Sequence, residues 1–343
     1  LKRCHNLINN LKKIIFLERP RVRTLNSNNI KSNIMHSNRR KFIKDASLVS
    51  AGVIAGLSGV SAASTAMSAQ SYRRIIGSND RLNVGIVGFS GRAKGSLIPA
   101  FQQHTKQQNC QIIGVSDIWN RRRDEGKAFL EKTTGNKIET WRNNEEMYDK
   151  NQIDAVIIST ADFQHALHTV QAANAKKDVY VEKPLTITIQ EGREMINAQK
   201  KYGKVCAVGL NRRGSPIYQE LVQKVQEGVI GKVTTARAQR TSNMFPNGIG
   251  IQRPAAPPKD FDWNMWLGPR AFRPYQYNMA PYFFRWWKEY SSQMGNWGVH
   301  YMDVIRWMIG ESAPVAITAT GGKYAVQDDR NIPDTMEVLF EMP

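Results

Sequence analysis

The chain of 343 residues is poor in cysteine, with three, and poor in acid, with 29 Asp and Glu against 48 Lys and Arg. So few cysteines exclude a disulfide-stapled scaffold, and without a CxxC pair or a nearby His cluster no thiolate metal site is expected. Cys206 lies in the apolar run VCAVGL, where a small buried hydrophobe belongs. The shortage of acid leaves a net charge of +19, which raises nucleic acid as a partner. Its distribution argues otherwise, because residues 1–44 hold 12 of the bases and the single acid Glu18. Beyond them there is no long basic run or basic–aromatic stripe of the kind that tracks a phosphate backbone, so nucleic acid is not an expected partner. Long hydrophobic runs are lacking too. ASLVSAGVIAGLSGV, residues 46–60, is too short and too rich in Gly, Ala and Ser to make a good membrane span.

What is present begins with a leader. Residues 1–34 are basic and Asn-rich, and the first methionine is Met35; they are expected to be an extension upstream of the translation start, or else a disordered tail. Residues 35–70 have three parts: charged MHSNRRKFIKD, an apolar core, and the small residues SAASTAMSAQ suited to cleavage. Through Arg39, Arg40, Phe42, Ile43 and Lys44, NRRKFIK resembles the twin-arginine export signal. That resemblance implies the twin-arginine machinery as a partner and a periplasmic or otherwise exported bacterial location. No stable membrane anchor is expected. The route carries folded proteins, so a cofactor can be bound before export.

From residue 82 short Val/Ile-rich runs (LNVGIVG, CQIIGVSD, IDAVIIST, KDVYVEK, KVCAVGL) alternate with helical stretches near 91–105, 120–133, 163–176 and 188–202. Strands this apolar are buried on both faces, and the alternation predicts an α/β fold with a doubly wound parallel sheet over residues 81–210. Its ligand crevice should lie at the carboxyl ends of the strands. In the first turn, GFSGRAKG, the expected pyrophosphate contacts are Gly88, Ser90, Gly91 and Arg92 at a helix N-terminus. The GxGxxG frame is imperfect: it reads Gly88, Ser90, Ala93, with Gly91 one place late. Asp117 ends the second strand, where a carboxylate accepts from a ribose 2′-OH and repels a 2′-phosphate. This favours NAD, although Arg121, Arg122 and Arg123 leave NADP possible. Thr160, Asp162 and His165 follow the fourth strand at the crevice mouth, with Asp162 equally placed to cap a helix.

VEKPLT (181–186), IISTADFQHA (157–166), GNWGVHYMD (295–303) and WNMWLGP (263–269) together resemble the Gfo/Idh/MocA family, relatives of glucose–fructose oxidoreductase and inositol dehydrogenase. The resemblance implies a Rossmann domain followed by a C-terminal α/β domain, residues 211–343, whose open, mostly antiparallel sheet faces the active site and often makes oligomer contacts. A homo-oligomer is therefore expected. It also implies that Lys183, flanked by Glu182 and Pro184, lies beside nicotinamide and the substrate hydroxyl, and that His300 handles the proton. Asn211 and Arg212, at the end of the sixth strand, are expected to face nicotinamide or substrate. Many family members carry Asp four residues before this histidine. Here Asn296 stands in that place, on the same helical face if the spacing is i, i+4. Asn296 can bond a hydroxyl but cannot act as a base. Asp303 is a second candidate to orient His300. Arg285 and Trp286, in the aromatic run PYFFRWWKEY, are further substrate candidates.

GKVTTARAQR reads as a strand entering the second domain, 296–309 as an amphipathic helix, and VAITATGGKYAV and DTMEVLFEMP as strands. Related enzymes usually continue with more strands, so the second domain is expected to be incomplete. The expected function is an exported NAD(P)-dependent oxidoreductase acting on a hydroxyl of a sugar, glycoside or polyol, with tightly held cofactor. The alternatives are an NAD-dependent glycosidase working by transient oxidation and elimination, and a non-catalytic sugar-binding member.

Overall fold

The computed structural model describes residues 81–343, except 151 and 311. The leader assignments for 1–34 and 35–70 fall outside these residues. The first half is a six-stranded, wholly parallel sheet in the order β3-β2-β1-β4-β5-β6. Its strands are β1 (Leu82–Val87), β2 (Cys110–Ser116), β3 (Glu139–Trp141), β4 (Ala155–Ile158), β5 (Asp178–Val181) and β6 (Cys206–Val208). Every residue of β4 and β5 is buried, because helices cover both faces. One face packs Ile86, Phe89, Ile98, Phe101, Ile112 and Leu130. The other packs Met147, Val156, Ile158, Val179, Val181 and Met195.

The crossovers are helical. A π-helical turn, Ala93–Leu97, runs into α1 (Ile98–Gln102), and α2 (Asn120–Thr134), α3 (His165–Asn174) and α4 (Ile189–Tyr202) follow the next strands. Their limits are set by local chemistry. The Thr188 hydroxyl accepts the Glu191 amide at the start of α4 while the Glu191 carboxylate reaches back to the Thr188 amide, a reciprocal cap. Between β1 and β4 the strand order reverses, which opens the crevice at their carboxyl ends.

After β6 come α5 (Pro216–Gln226), α6 (Val299–Ile309) and the antiparallel pair β7 (Ala316–Gly322) and β8 (Thr335–Glu341). GKVTTARAQR does not form the expected strand. It runs as mostly exposed chain, with no ladder partner among the described residues. Between α5 and α6 the chain builds an aromatic core from Phe261, Trp263, Trp266, Tyr275, Trp286, Trp287 and Tyr290. Phe163, at the tip beyond β4, inserts into it, with ring centres 5.1 Å from Trp266 and 4.9 Å from Tyr290. The Trp119 indole N–H donates to the Lys259 carbonyl at 3.1 Å, so a second crevice loop is tied to the same core. Among the described residues, Cys110 and Cys206 are free thiols. Among the described residues no helix is long and apolar enough to cross a membrane.

Candidate functional site

The site is assembled from the tips of β1, β2, β4, β5 and β6 and from the first turns of α6. Gly88 leaves β1 with φ +84°, a conformation that disfavours side chains. A Cβ there would also meet Thr160 Cγ2 at 2.8 Å and the Ser159 carbonyl at 3.2 Å. Two residues on, Ser90 Oγ accepts the Ala93 amide at 3.1 Å and lies 2.5 Å from Ser159 Oγ, so the loop is tied to β4. Gly91 is exposed, and a Cβ on it would meet nothing within 4 Å. Arg92 reaches across to Glu182, with its Nε donating to the carboxylate at 2.8 Å. The first loop and the EKP turn are thereby brought together.

Asp117 uses both carboxylate oxygens on main-chain amides, Phe89 at 2.8 Å and Trp119 at 2.9 Å. Burial pushes its carboxyl up, against the pull of those amides and of Arg122 and Arg123. Of the three arginines after it, Arg122 pairs with Glu125 at 3.1 Å, and Arg123 donates to the Asp117 carbonyl at 2.9 Å and to Asn120. Arg121 stacks on Trp119, its guanidinium carbon 3.8 Å from the ring centre. Two of the three are thus committed within the loop and its helix.

Lys183 and His300, 117 positions apart in number, meet at one place. Lys183 Nζ donates to the Asn296 carbonyl at 2.8 Å. Burial pushes the Lys183 ammonium down, while Asp162 and Glu182 pull the other way. Burial, and then the charges of Lys183, Arg212 and Arg92, push the His300 imidazole down to about 4. Its Nδ1 is enclosed without a partner. An imidazole lowered this far is neutral at pH 7 and a weak base, which counts against His300 as the group that takes the proton. Lys183, destabilised as a cation, is the better-placed proton carrier.

Asn296 lies in a π-helical turn, Met294–Gly298, that runs directly into α6 and His300. The buried Asn296 amide donates to Asp162 Oδ2 at 3.0 Å, and the same oxygen accepts the Ser291 hydroxyl at 2.5 Å. A carboxylate can only accept there, so the amide nitrogen must face Asp162 and the Asn296 oxygen is left as an acceptor on the other side. The neutral residue at 296 thus answers a carboxylate already present on the next loop. Asp303 does not orient His300. It is taken by Arg213, whose Nε lies 2.8 and 2.9 Å from its two oxygens.

Two further expectations change. His165 is buried with Nδ1 2.6 Å from the Pro184 carbonyl and Nε2 3.2 Å from the Thr160 carbonyl, so it braces the crevice floor instead of lining it. Trp286 is a core residue, packed under Arg330 with the guanidinium carbon 4.1 Å from its ring centre. Arg285 beside it stays half-buried and donates to the Tyr282 carbonyl at 3.1 Å. Asn211 is exposed on the turn Asn211–Gly214, and Arg212 there packs on Tyr301, 4.5 Å from its ring centre. Sequence reasoning missed Ser291 and Ser159. Ser159 directly precedes Thr160 at a strand tip, which is a usable signal; Ser291 had none. Among the described residues no group of three or more His, Cys, Asp or Glu could hold a metal ion.

Residues 82–210 match the model of the Gfo/Idh/MocA oxidoreductase family with NAD-binding Rossmann fold, and residues 219–333 match that family's C-terminal α/β domain. The chain belongs to the Gfo/Idh/MocA family. Among its relatives, a scyllo-inositol 2-dehydrogenase (NAD(+)) of Bacillus subtilis (strain 168) is 36% identical over 96 residues, 28% of each chain. A D-glucoside 3-dehydrogenase of Escherichia coli (strain K12) is 30% identical over 161 residues, 46% of this chain and 44% of the relative. The WlbA dehydrogenase from Bordetella pertussis, determined with NADH and UDP-GlcNAcA, is similar in fold with a TM-score of 0.52 at 19% identity, over 75% of this chain and 66% of that one. The chain spans less than half the length of the curated relatives it matches.

The residues present fit NAD. Gly88 occupies a position that any Cβ would close, the loop after it leads into a helix N-terminus, and the buried Thr160 hydroxyl at the crevice mouth has no partner. Gly88, Ser90, Gly91 and Arg92 would hold the pyrophosphate, and Asp117 the adenosine ribose. Thr160 and the EKP turn lie on the side where the nicotinamide would reach.

Proposed function

We propose that this protein is an NAD-dependent oxidoreductase acting on a secondary hydroxyl of a sugar, glycoside or polyol. The observation that carries the reading is the hydrogen bond from Lys183 Nζ to the Asn296 carbonyl, in the π-turn that runs into α6 and His300, at the carboxyl end of the sheet. When bound, the nicotinamide cofactor supplies a hydride acceptor. The residues of this chain do the rest. A hydroxyl loses its proton as its carbon gives up hydride, so a group able to take that proton near neutral pH must stand beside it. Lys183, destabilised as an ammonium by burial, takes or shares that proton and stabilises the developing alkoxide by charge. His300, neutral, accepts from the same hydroxyl and fixes its direction. The Asn296 oxygen, held outward by Asp162 and Ser291, is an acceptor for a neighbouring hydroxyl.

The names of relatives support the class: they include inositol 2-dehydrogenases and a D-glucoside 3-dehydrogenase. The twin-arginine-like segment NRRKFIK supports export with the cofactor already bound. The test is NADH formation at 340 nm on a panel of glycosides and inositols, with Lys183→Met beside the unchanged chain. The expected loss in kcat is on the order of 10²- to 10⁴-fold with NAD still bound. Equal rates in the two proteins refute the assignment, and release of free sugar without net NADH points to the glycosidase chemistry instead.

A further inference from the structure

We propose that the substrate carries an anionic group, a carboxylate or a phosphate ester on the sugar, and that Arg212 holds it with Lys183 and Arg285 alongside. The proposal deepens the oxidoreductase reading and rests on it. Its basis is a charge imbalance in the site. Lys183 bonds a main-chain carbonyl, that of Asn296, at 2.8 Å. Arg285 bonds the main-chain carbonyl of Tyr282. Arg212 has no carboxylate partner among the described residues, and its guanidinium carbon lies 4.5 Å from the Tyr301 ring centre and 5.7 Å from that of Tyr218. The contrast with its neighbour is sharp: Arg213 is held by both oxygens of Asp303.

The carboxylates nearby are already in use. Glu182 is matched by Arg92, and Asp162 accepts from Ser291 and Asn296. Burial, and then the charges of Lys183 and Arg212, push the His300 imidazole down, and Arg285 acts in turn on Lys183. The cations thus gather about one region in which Asp162 is the carboxylate that no cation bonds among the described residues. Gathering like charges in a partly desolvated pocket is unfavourable unless something binds there to neutralise them.

The cofactor's own phosphates do not fill this role. They belong at the loop after β1, and β6, which leads into Arg212, lies three places along the sheet from β1. Packed against tyrosine rings, the guanidinium keeps its in-plane N–H groups for an oxygen pair, the geometry that suits carboxylate or phosphate. The Arg212 charge also acts on the His300 imidazole, so an anion on Arg212 would lie in the neighbourhood of the reacting hydroxyl.

The experiment uses the full chain with NAD, and three probes in both the gluco and galacto series: the methyl glycoside, the uronate and the 6-phosphate. NAD binding alone is measured first by calorimetry, and its failure sinks the oxidoreductase reading separately. With NAD bound, the expected result is a kcat/KM for one anionic form on the order of tenfold or more above the methyl glycoside. Whether the uronate or the 6-phosphate is preferred identifies the anion. Arg212→Gln is expected to remove most of that preference, with Arg212→Lys retaining part of it. Where no probe is oxidised, calorimetry on NAD-loaded protein decides: binding of an anionic form that Arg212→Gln abolishes supports the proposal. Equal or better use of the neutral glycosides overturns it, as does anion binding unaffected by Arg212→Gln and Arg285→Gln in variants whose urea midpoints match the parent.

Discussion

Substituting Asn296→Asp puts the physics of the site to a test that needs no substrate. The Asn296 amide nitrogen lies 3.0 Å from Asp162 Oδ2, and both residues are buried, at 8% and 4% exposure. Replacing that donor with a carboxylate oxygen sets two acids at hydrogen-bond distance. At an effective dielectric of about 20, two unit charges about 3 Å apart repel by roughly 5 kcal/mol. The pair therefore cannot ionise twice near neutrality, and one carboxyl is held well above the ordinary carboxylate range. A carboxyl raised in the folded state lowers stability once the unfolded chain ionises, above about pH 4. Below that pH both states hold the proton and the penalty vanishes. Stability of Asn296→Asp relative to the parent should fall between pH 4 and 7, by roughly 3 kcal/mol or more at the upper end. Urea unfolding of both proteins at pH 4, 5.5 and 7 measures it. A difference between them that is constant across this range would refute the pairing of 296 with Asp162.

His300, pushed down to about 4 from an ordinary 6.5, makes the folded state bind fewer protons than the unfolded one between these values. Stability should rise with pH over that window, and His300→Gln should reduce the slope without abolishing it, because His168 is buried and depressed to about 4 as well. Imidazole NMR titration in the nucleotide-free protein checks the midpoint directly. Gly88→Ala, with φ +84° and Thr160 Cγ2 2.8 Å from the added carbon, is expected to abolish NAD binding by calorimetry and to cost about 1–3 kcal/mol in urea unfolding. Asp328→Ala strands the fully enclosed Arg330 guanidinium over Trp286 and should cost about 3–5 kcal/mol, read from the same unfolding curves.

The sheet was legible because its strands are short Val/Ile runs set between helical stretches, a pattern that only a parallel sheet covered on both faces requires. β3 was counted but not located, for the matching reason: at three residues, with Glu139 and Thr140 exposed, it carries no such run. GKVTTARAQR misled in the opposite sense, since β-branched residues permit a strand but only a partner makes one. In the site, motif position led to Lys183 and His300, but their proton affinities follow from burial and from the charges around them, Asp162 and Glu182 at Lys183 and Lys183 and Arg212 at His300, which no local spacing reveals. The π-turn that carries Asn296 could not be read in advance, because it leaves no mark in composition. Asp162–Ser291 and Asp303–Arg213 join residues 129 and 90 positions apart, and a contact at that separation can be read only from the fold. Trp286 and Arg285 show the same limit, adjacent in the chain yet one in the core and the other at the crevice.

The central claim is that an ammonium from the EKP turn and an imidazole from α6 flank the nicotinamide. A crystal structure of the chain with NAD measures this directly. The account predicts the nicotinamide ring in contact with both Lys183 and His300, with the pyrophosphate on the loop from Gly88 to Arg92. A dinucleotide bound with its nicotinamide away from either side chain, or not held at the carboxyl ends of β1 and β4, would contradict it.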